Sequence, residues 1–580
     1  MNYPKLTPLK ETAKNVSRFA GYNHQLRIGD GEFYDMKNLS SDRYPVLAPR
    51  GKRGIYARPA SPQGLIARDG LCYVDGSAFV MGQSRVELGL SVAAESCPKQ
   101  LISMGAYVII LPDKVYINTL NLSDWGALDA FFSAEGEVTF TLCTEDGKSF
   151  EGMTVSDTAP ENPGNLSYWL DCSGKPHVLK QYSGDSDSWV TVLSVCVRIG
   201  AQGIGKDFRA GDGITLSGIT AAESLNGAAV ITACGEDFVV IPGILEGTLT
   251  QAGGVKLERT MPAVDFVIEC GNRLWGCRYG KNNAGEVVNE IYASKLGDFK
   301  NWNCFAGLST DSYAVSLGSD GPFTGAVAYL GYPMFFKETV VHKIYGRYPA
   351  AFQLQDTACR GVQSGCHGSL AIVGEILYYK SRDCVCAFDG SLPVEVSRQL
   401  GGVRYSRAVG GAVGSKYYLS MADEAGNFHL LVYDTARSLW HKEDDLQALA
   451  FCPCQGELYC IDGRNRNILT MLGSGEQEEE QVAWMAQTGN LSIVDAGMKY
   501  LSRLNLRLWL ETDAKAEIYA RYEEDSPWLH ICTIFGTSLR SFTVPIRPRR
   551  ADYFALRLVG TGDAKLYSIR RIVAEGSDEQ

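Results

Sequence analysis

The sequence has no run of about 18 apolar residues, which excludes a membrane-crossing helix. Its opening, Met1 to Lys5, lacks the charged and apolar regions of a signal peptide, so the expectation is a protein that is not exported. Histidine is scarce: there are 7, and none stands in an HxH or HExxH spacing that would suit a metal. No G-x-S-x-G nucleophile elbow or G-x-G-x-x-G dinucleotide fingerprint occurs. Gly200–Asp207 comes near to a phosphate loop, but Asp207 stands where a Ser or Thr hydroxyl is needed, and Gly211 and Gly213 break any following helix. Ser183–Trp189 comes near to the Asp-box turn of sugar-cleaving propellers, yet the motif occurs once and with imperfect spacing. These absences lead to an expectation of a protein that is not an enzyme, with no catalytic residue, metal or cofactor.

Positive charge is also short. With 55 Lys and Arg against 66 Asp and Glu, the formal charge is −11, which disfavours coating by nucleic acid. The 17 cysteines are odd in number and scattered, which favours reduced, mostly buried thiols over a disulfide framework. Cys384/Cys386 and Cys452/Cys454 are CxC pairs, a spacing that puts both thiols on one face of a strand and is not the CxxC of structural zinc sites.

What the sequence does have is glycine, 62 residues in 580, and 10% aromatics. Many turns and aromatic strands predict an all-β protein of several domains, with little helix. One unit recurs: a Gly-containing turn followed by a short apolar or aromatic strand, at Gly70, Gly105, Gly271, Gly331, Gly374, Gly414 and Gly456. Most spacings lie near the period of about 40–45 residues of a four-stranded propeller blade. The long interval from Gly105 to Gly271 reads as one blade plus an insertion. The expected architecture is a β-propeller of about seven blades. Its parts are an extended N-terminal arm (1–55), a first propeller part (56–124), inserted β domain(s) (125–258), a second propeller part (259–475), an acidic linker (476–481) and a C-terminal β-sandwich (482–580). The sandwich is read from Leu504, Leu506, Leu508 and Leu510, which alternate with polar residues or Trp509. The insertion is expected to be dispensable for folding of the propeller.

The N-terminal segment carries a resemblance. Phe19, Gly21, Tyr22 and Asn23 are followed by Gly31, Phe33, Tyr34, Asp35, Asn38 and Leu39, then by Tyr44, Pro45, Leu47, Pro49 and Arg50. This resembles the opening of phage tail proteins of the nozzle or head-to-tail connector type, in which such an arm leads into a propeller. Asn272–Trp275, Glu290–Lys295, Asp298–Trp302, Ile344–Gly346, Gly361–Ser364, and Val432–Asp434 with Trp440 are similar as well. The resemblance implies a structural virion protein of the tail, assembled in the host bacterial cytoplasm. It also implies self-association in a ring, a hexamer by analogy, with tail, adaptor or portal proteins as partners. DNA would pass through the ring without sequence-specific binding. The expected partner contacts are Phe19, Tyr22, Phe33, Tyr34, Tyr44, Arg50, Lys52 and Arg53, and removal of residues 1–45 is expected to leave a folded propeller that no longer assembles. Two alternatives stand beside this one: a carbohydrate-binding or glycan-cleaving propeller, and a propeller scaffold for protein partners.

Overall fold

A computed structural model describes residues 10–92, 99–281, 285–475, 477–493 and 497–575. Residues 1–9 of the expected arm and Glu476 of the acidic run lie outside them. The chain is all-β: a β-propeller with an inserted β domain and a C-terminal β-sandwich. Among the described residues there is no α-helix, only single turns of 3-10 helix such as Glu223–Leu225.

Seven four-stranded meanders run through residues 62–87, 100–127, 266–316, 325–358, 371–395, 406–442 and 448–470. The seventh takes its fourth strand from the other end of the chain, because Gly54–Ala57 pairs with Ile468–Thr470. Each recurrent glycine lies between the first and second strands of its meander. Gly105, Gly271, Gly331, Gly374, Gly414 and Gly456 have φ of 57 to 83°. A tight hairpin needs that left-handed backbone, and glycine adopts it without a Cβ clash.

Two compact units are distinct in the chain: residues 1–99, 336–341 and 357–580, and residues 100–335 and 342–356. In the first, neighbouring meanders share apolar layers. Tyr418, Leu430 and Val432 pack with Leu458, Cys460 and Met471, and Leu71 packs with Cys452, Ile461 and Ile468. The C-terminal part is organised by one 24-residue strand, Lys499–Tyr522, whose even-numbered residues from Leu504 to Leu510 and from Ala514 to Tyr522 are buried. Its first half pairs with Ala564–Glu575, its second with Phe554–Thr561, and its other edge with Leu529–Val544. In the second unit, Ile102, Ile109 and Leu111 pack with Val267, Leu274 and Trp302. Strands from Ala130–Ser133 to Lys256–Arg259 form the inserted domain, three sheets around a core that includes Phe140, Ile199, Ile214, Val239 and Leu257.

Two expectations are corrected. Residues 10–55 are not an extended arm. Glu11–Val16 pairs with Ala564–Glu575, Gly21–Tyr22 with Trp440, and Glu32–Lys37 with Ala483–Thr488, so the segment joins the sixth meander and the sandwich into one 13-stranded sheet. Nor is the acidic run a free linker: Gln477–Glu478 pairs with Gly54–Ile55.

Candidate functional site

The residues expected to contact a partner converge on this seam, but most face inward. Phe19, Tyr22 and Phe33 are 3%, 3% and 1% exposed, and the Phe19 and Phe33 rings stack at 5.9 Å. Tyr34 is half-buried and stacks on His24 at 4.2 Å; Tyr44 is half-buried beside Arg18. Arg50 and Arg53 are buried, and of the eight only Lys52 is exposed. The reading as partner contacts is therefore corrected for the five buried side chains, Phe19, Tyr22, Phe33, Arg50 and Arg53, while Tyr34, Tyr44 and Lys52 keep exposed surface. Short strands such as Gly21–Tyr22 are too brief to show alternation in sequence, so their buried aromatic residues looked like anchors for another molecule.

The seam is tied by polar groups. Gly21 has φ 84°, and a Cβ there would lie 2.3 Å from the Trp440 carbonyl oxygen, so only glycine lets the segment close on Trp440. Asn38, at φ 52°, donates through Nδ2 to the Ala483 carbonyl (2.8 Å) and accepts from Arg50 Nε (2.9 Å). Arg50 also donates to both Glu479 carboxylate oxygens at 2.6 and 2.9 Å. Arg53 donates to Glu443 (2.6 Å) and Asp444 (2.7 Å). Burial opposes the Arg53 charge, but Asp444 and Glu443 outweigh it and hold the guanidinium above its ordinary range. Burial likewise pushes the Glu479 carboxyl up, and the Arg50 hydrogen bond and charge bring it below its usual value. Beside this network runs a cleft of about 520 Å3 lined by Asp42, Arg43, Arg50, Lys52, Asp513 and Asp563. It is charged with both signs and has no aromatic wall.

His441 gives the seam a pH dependence. It is enclosed near Lys416, Asp434, Asp42 and Arg437; burial first, then Lys416, pushes its imidazole down to about 3. An unfolded histidine titrates near about 6.5. Below that pH the unfolded chain takes up a proton that the folded chain refuses, so stability falls on acidification at up to about 1.4 kcal/mol per pH unit until the folded value is reached. Above about pH 6.5 the group adds no slope. His441→Gln should flatten the fall in urea-unfolding free energy between about pH 6 and pH 4; an unchanged slope would assign the acid sensitivity elsewhere.

Other candidate groups are placed as follows. In Gly200–Asp207 the Gly203 N–H is taken by Asp237 (2.7 Å) and the Gly205 N–H by the Glu236 carbonyl (3.0 Å), so these amides serve the fold. Ser319, His342 and Asp356 form a relay that sequence spacing did not suggest. Ser319 Oγ lies 2.9 Å from His342 Nε2, and His342 Nδ1 lies 2.6 Å from Asp356. A hydroxyl on an imidazole backed by a carboxylate is the arrangement that activates a serine. Here the imidazole is 0% exposed, and the contacts fasten the Ser319 loop to the neighbouring strands. Cys384 and Cys386 sit on one strand face with their sulfurs 3.5 Å apart, as free thiols.

No protein-family model matches the chain, and no curated protein is similar to it in sequence. Among solved structures it is similar to an exo-β-1,3-galactanase from Phanerochaete chrysosporium with galactose, at 9% identity and a TM-score of 0.22, over 54% of this chain and 96% of that one. It is also similar to an engineered GH43 glycoside hydrolase with endo-xylanase and exo-arabinofuranosidase activity, at 10% identity and a TM-score of 0.20, over 53% and 96%. Both are glycoside hydrolases, so the expectation that the chain is not an enzyme is withdrawn. At these values the likeness transfers neither an activity nor a residue.

Proposed function

We propose that the protein is a structural component of a tailed-phage virion, a ring subunit at the tail that surrounds the path of DNA and carries its inserted and C-terminal β domains as appendages. The observation that carries this reading is the N-terminal motif. Its residues resemble the opening of tail nozzle and connector proteins, and in this chain Gly21, Tyr22, Asn38 and Arg50 bind propeller and sandwich strands together. A subunit under load during DNA passage gains from such a fusion. The acidic balance of −11 suits a path along which phosphates must slide, since a basic wall would hold them. Contacts between subunits then fall to surfaces other than the buried motif side chains.

Cryo-electron microscopy of the purified protein and of its parent particle tests the proposal. The expected result is a closed ring, sixfold by analogy, around the tail axis in the particle. A single off-axis copy, or none, overturns it. A second reading, a carbohydrate-binding or glycan-cleaving propeller, is favoured by the outer face of a small sheet in the inserted domain, which gathers aromatic side chains.

A further inference from the structure

That sheet comprises Thr154–Ser156, Tyr168–Asp171, Val178–Ser183 and Ser188–Thr191. One of its faces is core: Leu170 and Leu179 are 0% and 1% exposed and belong to the apolar centre of the inserted domain. Side chains alternate along a strand and paired residues share a face. The pairings Thr154 with Trp169, Trp169 with Lys180, Lys180 with Thr191, and Tyr182 with Trp189 therefore place all of these on the opposite, outward face.

An outward sheet face is ordinarily polar, yet this one gathers two tryptophans and a tyrosine. Trp169 is its floor, 6% exposed, with its indole N–H donating to the Ser156 carbonyl at 3.1 Å. Trp189 meets Trp169 and Tyr182 edge-on, each at 5.3 Å, and keeps part of its own surface open. The Tyr182 hydroxyl donates to Asp187, which fixes that ring. Lys180 lies 4.7 Å over the Trp169 ring and 2.8 Å from Asp171. The Lys180 hydrogen bond, with those from Ser173, holds the Asp171 carboxyl down at about 2, so it is an acceptor throughout the physiological range. Exposed Thr154 and Thr191 hydroxyls complete the face.

We infer that this face is a carbohydrate-binding site for neutral hexopyranose units, with Trp189 as the stacking platform and Asp171, Lys180 and Thr191 as hydroxyl partners. A pyranose ring has an apolar C–H side and a rim of hydroxyls. A rigid, partly exposed indole takes the first, and an adjacent fixed donor and acceptor take the second. The lysine charge is already neutralised by Asp171, and Asp185 and Asp187 add negative charge at the margin. That balance disfavours sialylated glycans and phosphate-bearing chains. The inference deepens the carbohydrate-binding reading and does not depend on ring assembly.

The test uses the full-length protein on an array of neutral and sialylated oligosaccharides, followed by titration of the best neutral binder with tryptophan fluorescence as readout. The expected result is saturable binding of a neutral oligosaccharide, none of its sialylated counterpart, and at least about a tenfold loss of affinity in Trp189→Ala. Lys180→Met, which leaves the tryptophans in place, should weaken binding with an unchanged melting temperature. No saturable binding of any neutral oligosaccharide overturns the inference. So does binding that is unchanged in a folded Trp189→Ala variant, which would put the sugar elsewhere. The ring seen by microscopy is a separate readout, so either proposal can fail alone.

Discussion

Deletion of residues 1–45 is expected to abolish cooperative folding, not to release a folded propeller that lacks a docking arm. The segment contributes Glu11–Val16, Gly21–Tyr22 and Glu32–Lys37 to the 13-stranded sheet, and the last two lie in its interior, between Leu439–Lys442 and Ala483–Thr488. Phe19, Tyr22, Phe33, Met36 and Leu39 are each no more than 3% exposed. At roughly 1.5–3 kcal/mol per fully buried large side chain, these five alone contribute about 8–15 kcal/mol, before the cost of ordering the segment is subtracted. That matches the entire net stability of an ordinary domain, about 5–15 kcal/mol. Three strand edges, on Leu439–Lys442, Ala483–Thr488 and Ala564–Glu575, would also be left open to aggregation. Size-exclusion chromatography and thermal denaturation would check it. A soluble product that melts cooperatively within a few degrees of the full chain would show that the seam is dispensable. A milder probe is Gly21→Ala, which keeps every strand but forces a Cβ against the Trp440 carbonyl; it should lower the melting temperature without changing strand content.

The propeller was legible because its signal is local. Each blade announces itself by a hairpin glycine a few residues from the strand it introduces, and Gly271, Gly331 and Gly456 can be read with no knowledge of the rest of the chain. The seam was not legible because its partners are remote. Tyr22 pairs with Trp440, Asn38 reaches Ala483, and Arg50 reaches Glu479. Nothing at one end of such a pair specifies the other, so buried aromatic residues and arginines looked like contacts for another protein. The same holds for the blade strand Gly54–Ala57, whose sheet lies at residues 448–470. The aromatic face was half legible. Ser183–Trp189 stood out as a malformed Asp-box, and it is a hairpin turn whose flanks, Tyr182 and Trp189, are paired. The contribution of Trp169 needs the third strand, and only the fold supplies it.

Asp212→Ala is expected to be the most damaging single substitution outside the seam, and it decides whether the inserted domain is a free appendage. Asp212 is 0% exposed and receives hydrogen bonds from Arg259 Nη1, from Asn301 Nδ2 at 2.9 Å and from the Arg209 N–H at 3.1 Å. Asn301 Oδ1 in turn accepts from the Gly213 N–H at 2.9 Å, and Lys295 donates to the Gly211 carbonyl at 2.8 Å. The turn 209–213 of the insertion is thereby locked to the loop after Val287–Ala293, within one compact unit. Arg259 is itself buried. Removing the aspartate strands a guanidinium without its counter-charge, a loss of about 3–5 kcal/mol when one partner of a buried pair is taken away. For a unit of about 250 residues, 1 kcal/mol shifts the melting temperature by roughly 2–4 °C, so a fall of about 10 °C is expected. Asn301→Ala removes three hydrogen bonds, to the Asp212 and Asp298 carboxylates and from the Gly213 N–H, but strands no buried charge, and should cost less, about 1–3 kcal/mol. The double variant should fall short of the sum, since both changes break one network. Full additivity would mean that the two side chains act independently, and a melting temperature unmoved by Asp212→Ala would mean that the insertion hangs from its two chain connections alone. In that case excision of residues 130–259 would leave the propeller intact.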